Sequence, residues 1–171
     1  ADNLLSYPDF RSFERSFQLM AQVSGRAGRK FKRGKVIIQS YRPDHEVIKY
    51  VVYNRYDLLY QNQIAERRRF KYPPIFRLIE LQLQHKQEQK VTEAAYELAS
   101  LLKQKLGNRV IGPEFPIVSK IKGLYLKNIL IKLEKTKHTS QLKEDVKELL
   151  DYFAKNAKHK SVRVIVDVDP Y

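Results

Sequence analysis

The chain has 171 residues, with 33 lysines and arginines against 19 acids, a formal charge of +14 at neutral pH. Its 43% hydrophobic content suffices for one or two small cored domains, and so basic a balance points to nucleic acid or an acidic membrane surface. There is no cysteine, which excludes disulfides and thiolate zinc sites; no apolar run spans a bilayer and no signal peptide is seen, so a cytoplasmic chain with no membrane partner is expected.

In chain order, Asp9 caps the first predicted helix, where Phe10, Phe13, Phe17 and Met20 recur at the spacing of one buried face. That helix delivers the octet Gln22-Val23-Ser24-Gly25-Arg26-Ala27-Gly28-Arg29 and is expected to run out at Gly25 and Gly28. Two guanidinium groups three apart among small residues suit a polyphosphate, because glycine admits close backbone approach and arginine forks bind phosphate oxygens bidentately. Lys30, Lys32, Arg33 and Lys35 continue the basic cluster and read as a solvated loop. Residues 35–41 are β-rich and predict a strand of a parallel sheet. Asp44 then caps a helix carrying Val47, Ile48, Val51 and Val52, and Leu58, Leu59, Ile64 and Ala65 mark another reaching about Phe70. Tyr72-Pro73-Pro74 stops it and sets a domain boundary. The Arg67-Arg68-Arg69 triplet suits either DNA phosphate or the helix dipole.

The second half is legible from periodicity. Residues 77–84 alternate as a strand with Ile79, Leu81 and Leu83 inward; residues 87–106 form a helix with Val91, Ala94, Ala95, Leu98, Leu101 and Leu102 on one face, ended by Gly107. Residues 110–121 are extended and broken by Pro113 and Pro116, and Lys122-Gly123 turns the chain into a strand over 124–134. Thr139 or Ser140 caps a second helix through Phe153, and Val162, Val164, Val166 and Val168 make a last strand. The order β-α-β-β-α-β predicts an α+β, ferredoxin-like domain of four antiparallel strands, two helices on one face and the other face open. Tyr125 with Lys120, Lys122 and Lys127 are the candidates for nucleic-acid contact there, with packing as the other reading of Tyr125. Asp167 and Asp169 could pair on a metal or simply end a strand; His45, His85, His138 and His159 have no metal-ligand spacing, and no site metal is expected.

The octet, with Ala1-Asp2-Asn3-Leu4-Leu5, Pro8-Asp9-Phe10-Arg11, Glu14-Arg15 and Phe17-Gln18-Leu19 before it, resembles the end of the second motor lobe of superfamily 2 helicases. The similarity continues in Ile64-Ala65-Glu66-Arg67-Arg68 and Tyr72-Pro73-Pro74, and the Pro8-Asp9-Phe10-Arg11 lead-in with the Asp167-Val168-Asp169-Pro170 ending narrows the resemblance to the bacterial primosomal replication-restart helicases. It implies a remnant of an α/β lobe over 1–41, a helical connector over 42–74 and the ferredoxin-like domain over 75–171. It also implies an ATP-dependent 3′-to-5′ DNA helicase that recognises stalled forks, with ATP and magnesium as cofactors and zinc in a cysteine-rich module that this chain lacks. Gln22, Gly25, Arg26 and Arg29 inherit the nucleotide-facing positions, with Arg26 and Arg29 as catalytic arginines. Gly28 to Lys35 has the wrong spacing for a phosphate loop, with Val36 where a hydroxyl is required, so the chain alone is not expected to hydrolyse ATP. Implied partners are forked or single-stranded DNA, single-stranded DNA-binding protein and other primosome proteins. A second implied role is docking of the acidic, phenylalanine-ended tail of single-stranded DNA-binding protein, with Lys135 and Lys137 as candidates against an ordinary exposed loop. Leu124 and Leu126 stand where the family's hairpin often carries arginines.

Overall fold

Apolar residues at helical spacing draw four helices together in the first half of the chain: α1 (Asp2–Leu5), α2 (Ser12–Arg26), α3 (Glu46–Val52) and α4 (Tyr56–Arg69). The computed structural model describes residues 2–27, 34–136 and 138–170, and divides into two units, Ala1–Phe70 and Lys71–Tyr171. Leu5, Phe17, Met20, Val47, Ile48 and Leu59 form the buried centre of the first unit.

Several local details differ from the sequence reading. Asp9 does not cap α2, which begins at Ser12, because its carboxylate is committed elsewhere: Oδ1 accepts the Arg11 N–H at 2.9 Å and Oδ2 the Arg15 guanidinium at 2.7 Å. Phe10 therefore precedes the helix, its ring 5.1 Å from the guanidinium carbon of Arg11 and 5.2 Å from that of Arg67. The helix ends at Arg26, one residue past Gly25, which is itself helical; Gly28 lies outside the described residues. Residues 34–41 form no strand, since a parallel strand needs neighbours and the described residues of this unit supply none. Instead Asp2 holds the segment, its Oδ1 accepting from the Ser40 hydroxyl at 2.7 Å and the Tyr41 N–H at 3.1 Å. His45, not Asp44, caps α3, its Nδ1 accepting the Val47 N–H at 3.2 Å while its ring packs edge-on against Phe13. In α4, Leu59 and Gln63 face inward, Ile64 is half-buried and Ala65 is exposed. Arg67 of the basic triplet is structural, its Nη2 2.7 Å from the Glu14 carboxylate on α2, whereas Arg68 and Arg69 are exposed.

The second unit comprises β1 (Phe76–His85), α5 (Glu88–Leu106), β2 (Val110–Glu114), β3 (Lys120–Ile121), β4 (Leu124–Glu134), α6 (Thr139–Lys155) and β5 (Arg163–Val168). Its sheet has the order β2-β4-β1-β5, with the two-residue β3 paired to the start of β4, giving five strands where four were predicted. Every paired neighbour is antiparallel. The chain is thus an α+β protein with a helical region and a small antiparallel sheet.

Register carries the two-residue period across the sheet: Ile79 lies opposite Ile131 and Val168, Leu81 opposite Ile129 and Val166, and Leu83 opposite Lys127 and Val164. This face packs on Val91, Ala94, Ala95, Leu98 and Leu102 of α5, and α6 adds Val146 and Phe153. Gly107 ends α5 as predicted, its N–H bonding the Lys103 carbonyl. Thr139 is not a cap but the first residue of α6; its hydroxyl donates to the Glu134 carbonyl at 2.8 Å and accepts the Thr136 N–H at 2.8 Å, fastening the helix to the end of β4. At Gly112, which interrupts the β2 register, φ is +97° and an added Cβ would stand 2.8 Å from the Asn128 carbonyl oxygen, so a side chain there would force the strands apart.

Between α5 and the segment that follows α6, three donors converge on Glu97: His159 Nε2 at 2.8 Å, Lys158 Nζ at 3.1 Å and Asn156 Nδ2 at 3.2 Å. His159 is buried and stacked on Phe153. The hydrogen bond from His159, then that from Lys158, holds the Glu97 carboxyl below its usual range. A carboxyl depressed in the folded state contributes stability that is complete above its unfolded value of about 4.3 and is lost as pH falls through the lower folded value. Glu97→Ala is expected to lower the urea midpoint at pH 7, with the difference from the parent shrinking in acid; a pH-independent difference would contradict the clamp. In the core, Leu98→Ala is expected to cost about 2–5 kcal/mol in the same titration.

Candidate nucleic-acid interface

The four residues Ile121 to Leu124 turn through Lys122 and Gly123, both at positive φ (49° and 79°), the geometry of a two-residue hairpin whose second position favours glycine. Lys122 is therefore carried at the exposed tip. Lys120 pairs across the hairpin with Tyr125; its Nζ lies 4.3 Å from the Tyr125 ring centroid and donates to the Tyr125 hydroxyl at 3.2 Å. The ring thus fixes an exposed ammonium in place.

Tyr125 and Lys127 lie on the helix side of the sheet and not on the open face, where the sequence reading put them, since they share parity with Ile129 and Ile131. Tyr125 packs partly against the main core. Lys127 is only 5% exposed, with its ammonium 3.4 Å from the Phe115 ring centroid and 5.9 Å from that of Tyr96. A lysine so enclosed does not reach a phosphate. Lys135 is exposed beyond β4, its N–H bonded to the Ile75 carbonyl, and Lys137 lies outside the described residues.

The open face has a different character. Glu80, Gln82, Gln84, Asn128 and Asp167 lie on it, and Lys132 and the exposed Arg163 share their parity, so carboxylates, amides and cations are mixed there. Asn128 donates to Glu80, and Gln84 to Gln82. Burial, with the Asp167 charge adding to it, pushes the Glu80 carboxyl above its ordinary range despite the Asn128 hydrogen bond. Asp169 does not pair with Asp167: it adopts φ 54°, leaves the strand, accepts the Leu78 N–H at 3.0 Å and forms an ion pair with Arg77. Burial would raise its carboxyl, but the Leu78 N–H and the Arg77 guanidinium together hold it low. Among the described residues, no group of histidines and acids is arranged to hold a metal, and no helix is long and apolar enough to cross a membrane.

In the first unit, Gln22 and Arg26 are four residues apart, on one face of the last turns of α2, and both are exposed. Gly25 between them is exposed too, with nothing within 4 Å of where a side chain would begin. Arg29 lies outside the described residues.

Sequence reasoning missed Phe115, Tyr96 and the Glu97–His159 pair. A signal for the first was available: strict alternation along 124–134 places Lys127 inward, and an inward lysine needs a compensating partner.

Comparison with known proteins identifies the family. Residues 68–171 match the family described as the primosomal protein N C-terminal domain. The replication restart protein PriA of Bacillus subtilis is 37% identical over 173 residues, covering 100% of this chain and 21% of that protein. Its namesake from Treponema pallidum is 37% identical over 99% of this chain and 25% of its own length, and that from Synechocystis 34% over 99% and 20%. The chain belongs to the bacterial primosomal protein N family, and the resemblance to replication-restart members of superfamily 2 is borne out. It spans between a fifth and a quarter of the length of these relatives.

A carboxyl raised on folding makes the ionised form a liability, so stability falls as pH rises from the unfolded value to the raised one. Glu80→Gln, which keeps an acceptor for Asn128, is expected to raise the thermal midpoint at pH 7 by about a degree or more. The gain should vanish in acid, where both states are protonated; a gain that persists there would exclude this cause.

Proposed function

We propose that the chain is the C-terminal part of an ATP-dependent 3′-to-5′ DNA helicase that recognises stalled replication forks and restarts replication. The observation that carries this reading is the alignment of 99–100% of the chain with proteins named for replication restart, through both the Gln-Arg motif and the basic second unit. Residues 1–41 are read as the end of the second motor lobe, 42–74 as a connector and 75–171 as the C-terminal domain. The order β2-β4-β1-β5, with alternating directions and two helices on one side, supports a ferredoxin-like reading of that domain.

The exposed Gln22–Arg26 face fits a nucleotide carried by another lobe, with Arg29 completing the set. Magnesium ATP would supply the transferable phosphoryl group. Arg26 and Arg29 would bind its oxygens bidentately and offset developing charge, while Gln22 positions it. In the second unit, Lys120 and Lys122 at the hairpin end are the phosphate contacts. A second reading, docking of an acidic tail ending in phenylalanine, is favoured by a cleft of about 350 Å³ between α6 and β5. Leu150, Phe153, Val162 and Val164 line it, with Lys147 and Lys160 and one acid, Asp151, also among its walls.

In the full-length protein, Arg29→Ala is expected to lower DNA-stimulated ATP hydrolysis by roughly 10³-fold or more while fork binding stays nearly intact. Equal loss of both would contradict the assignment. For this chain, Lys120→Ala with Lys122→Ala is expected to reduce the slope of log affinity for fork DNA against log salt by about 1–2. An unchanged slope would place the phosphate contacts elsewhere, and displacement of DNA by an acidic phenylalanine-ended peptide would show that the two surfaces overlap.

A further inference from the structure

Phe115 is 46% exposed although one of its faces is taken, with the Lys127 ammonium 3.4 Å from its centroid. Stacking of a base on an aromatic ring tolerates every base, because each has a π face. The surroundings specify a polyanion. From 115 to 133 the chain has no acid, and of its lysines Lys120 and Lys122 are exposed while Lys127 and Lys132 are buried. Tyr96, 58% exposed, flanks the same ammonium, and Ile117, 90% exposed, extends the apolar surface next to Phe115 in sequence.

Resting on the DNA-binding reading of this unit, we propose that the free face of Phe115, backed by the Lys127 ammonium, is a stacking platform for an unpaired base of single-stranded DNA whose phosphates Lys120 and Lys122 hold. Lys127 then acts as a positioning residue and touches no DNA. A continuous duplex has its base faces already stacked, so the platform selects unpaired strand.

The chain contains no tryptophan, so Phe115→Trp installs a single indole at the platform while keeping a ring over Lys127. This variant is titrated with a short oligothymidylate and with an abasic strand of equal length, reading indole fluorescence and the anisotropy of the labelled strand together. Both strands should bind with similar salt dependence, and the base-bearing strand alone should quench the indole. Phe115→Ala should weaken the base-bearing strand by about tenfold and leave the abasic strand unchanged. Equal quenching by both strands, or binding without quenching, would overturn the platform and leave the DNA-binding reading standing. If neither strand binds the parent chain, both fall. The tryptophan titration decides the matter even where Phe115→Ala disturbs folding.

Discussion

Strand β4 alternates without a break, and everything at the candidate interface follows from that. Tyr125, Lys127, Ile129, Ile131 and Leu133 must all face the helices, so a lysine is driven inward opposite Leu83. Leaving an ammonium uncompensated there would cost several kcal/mol. Phe115 and Tyr96 offset that cost with their ring faces, which brings the segment after β2 against the start of β4. The hairpin that follows ends in Lys122, with Lys120 steadied on Tyr125. One inward lysine thus organises aromatic rings and outward lysines at one end of the sheet.

The helix-free face carries Glu80, Asp167 and a run of amides together with Lys132 and Arg163, and burial already disfavours ionisation of Glu80. Adding a phosphate there would compound that penalty. Asp169 closes the far end of β5 onto β1 through Leu78 and Arg77, which gives the Asp-Val-Asp-Pro ending a structural task. In the first unit the Arg67–Glu14 pair does comparable work, binding α4 to α2 and leaving Arg68 and Arg69 exposed.

Along β1 and α5, where periodicity dictates burial, the fold was legible in the sequence, whereas Val166 and Val168 at the end of β5 stay about half exposed. Ile79, Leu81 and Leu83, and the α5 face from Val91 to Leu102, sit as their spacing demands. Caps were less legible because polar side chains have competing partners. Asp9 is drawn to Arg15, and Thr139 back to Glu134, choices set by tertiary neighbours. Residues 34–41 have the composition of a strand but no neighbour to pair with among the described residues. The Glu97–His159 bond joins groups 62 residues apart and leaves no local trace. Of the candidate site, Lys120, Lys122 and Tyr125 were visible as a basic-aromatic cluster, whereas Phe115, in a stretch broken by prolines, became meaningful only through Lys127.

The chain belongs to the primosomal protein N family, and its two units present an exposed Gln22–Arg26 face and a basic hairpin end respectively. The central claim is that nucleic acid meets the second unit at this hairpin end and not across the helix-free sheet. The most direct measurement is a chemical-shift map by NMR of the chain titrated with unlabelled oligothymidylate. The account predicts ring-current shifts at Phe115, Ile117 and the 120–125 hairpin, with Gln82, Asn128 and Ile165 unmoved. Shifts concentrated on Gln82, Asn128 and Ile165, with Phe115 silent, would contradict it.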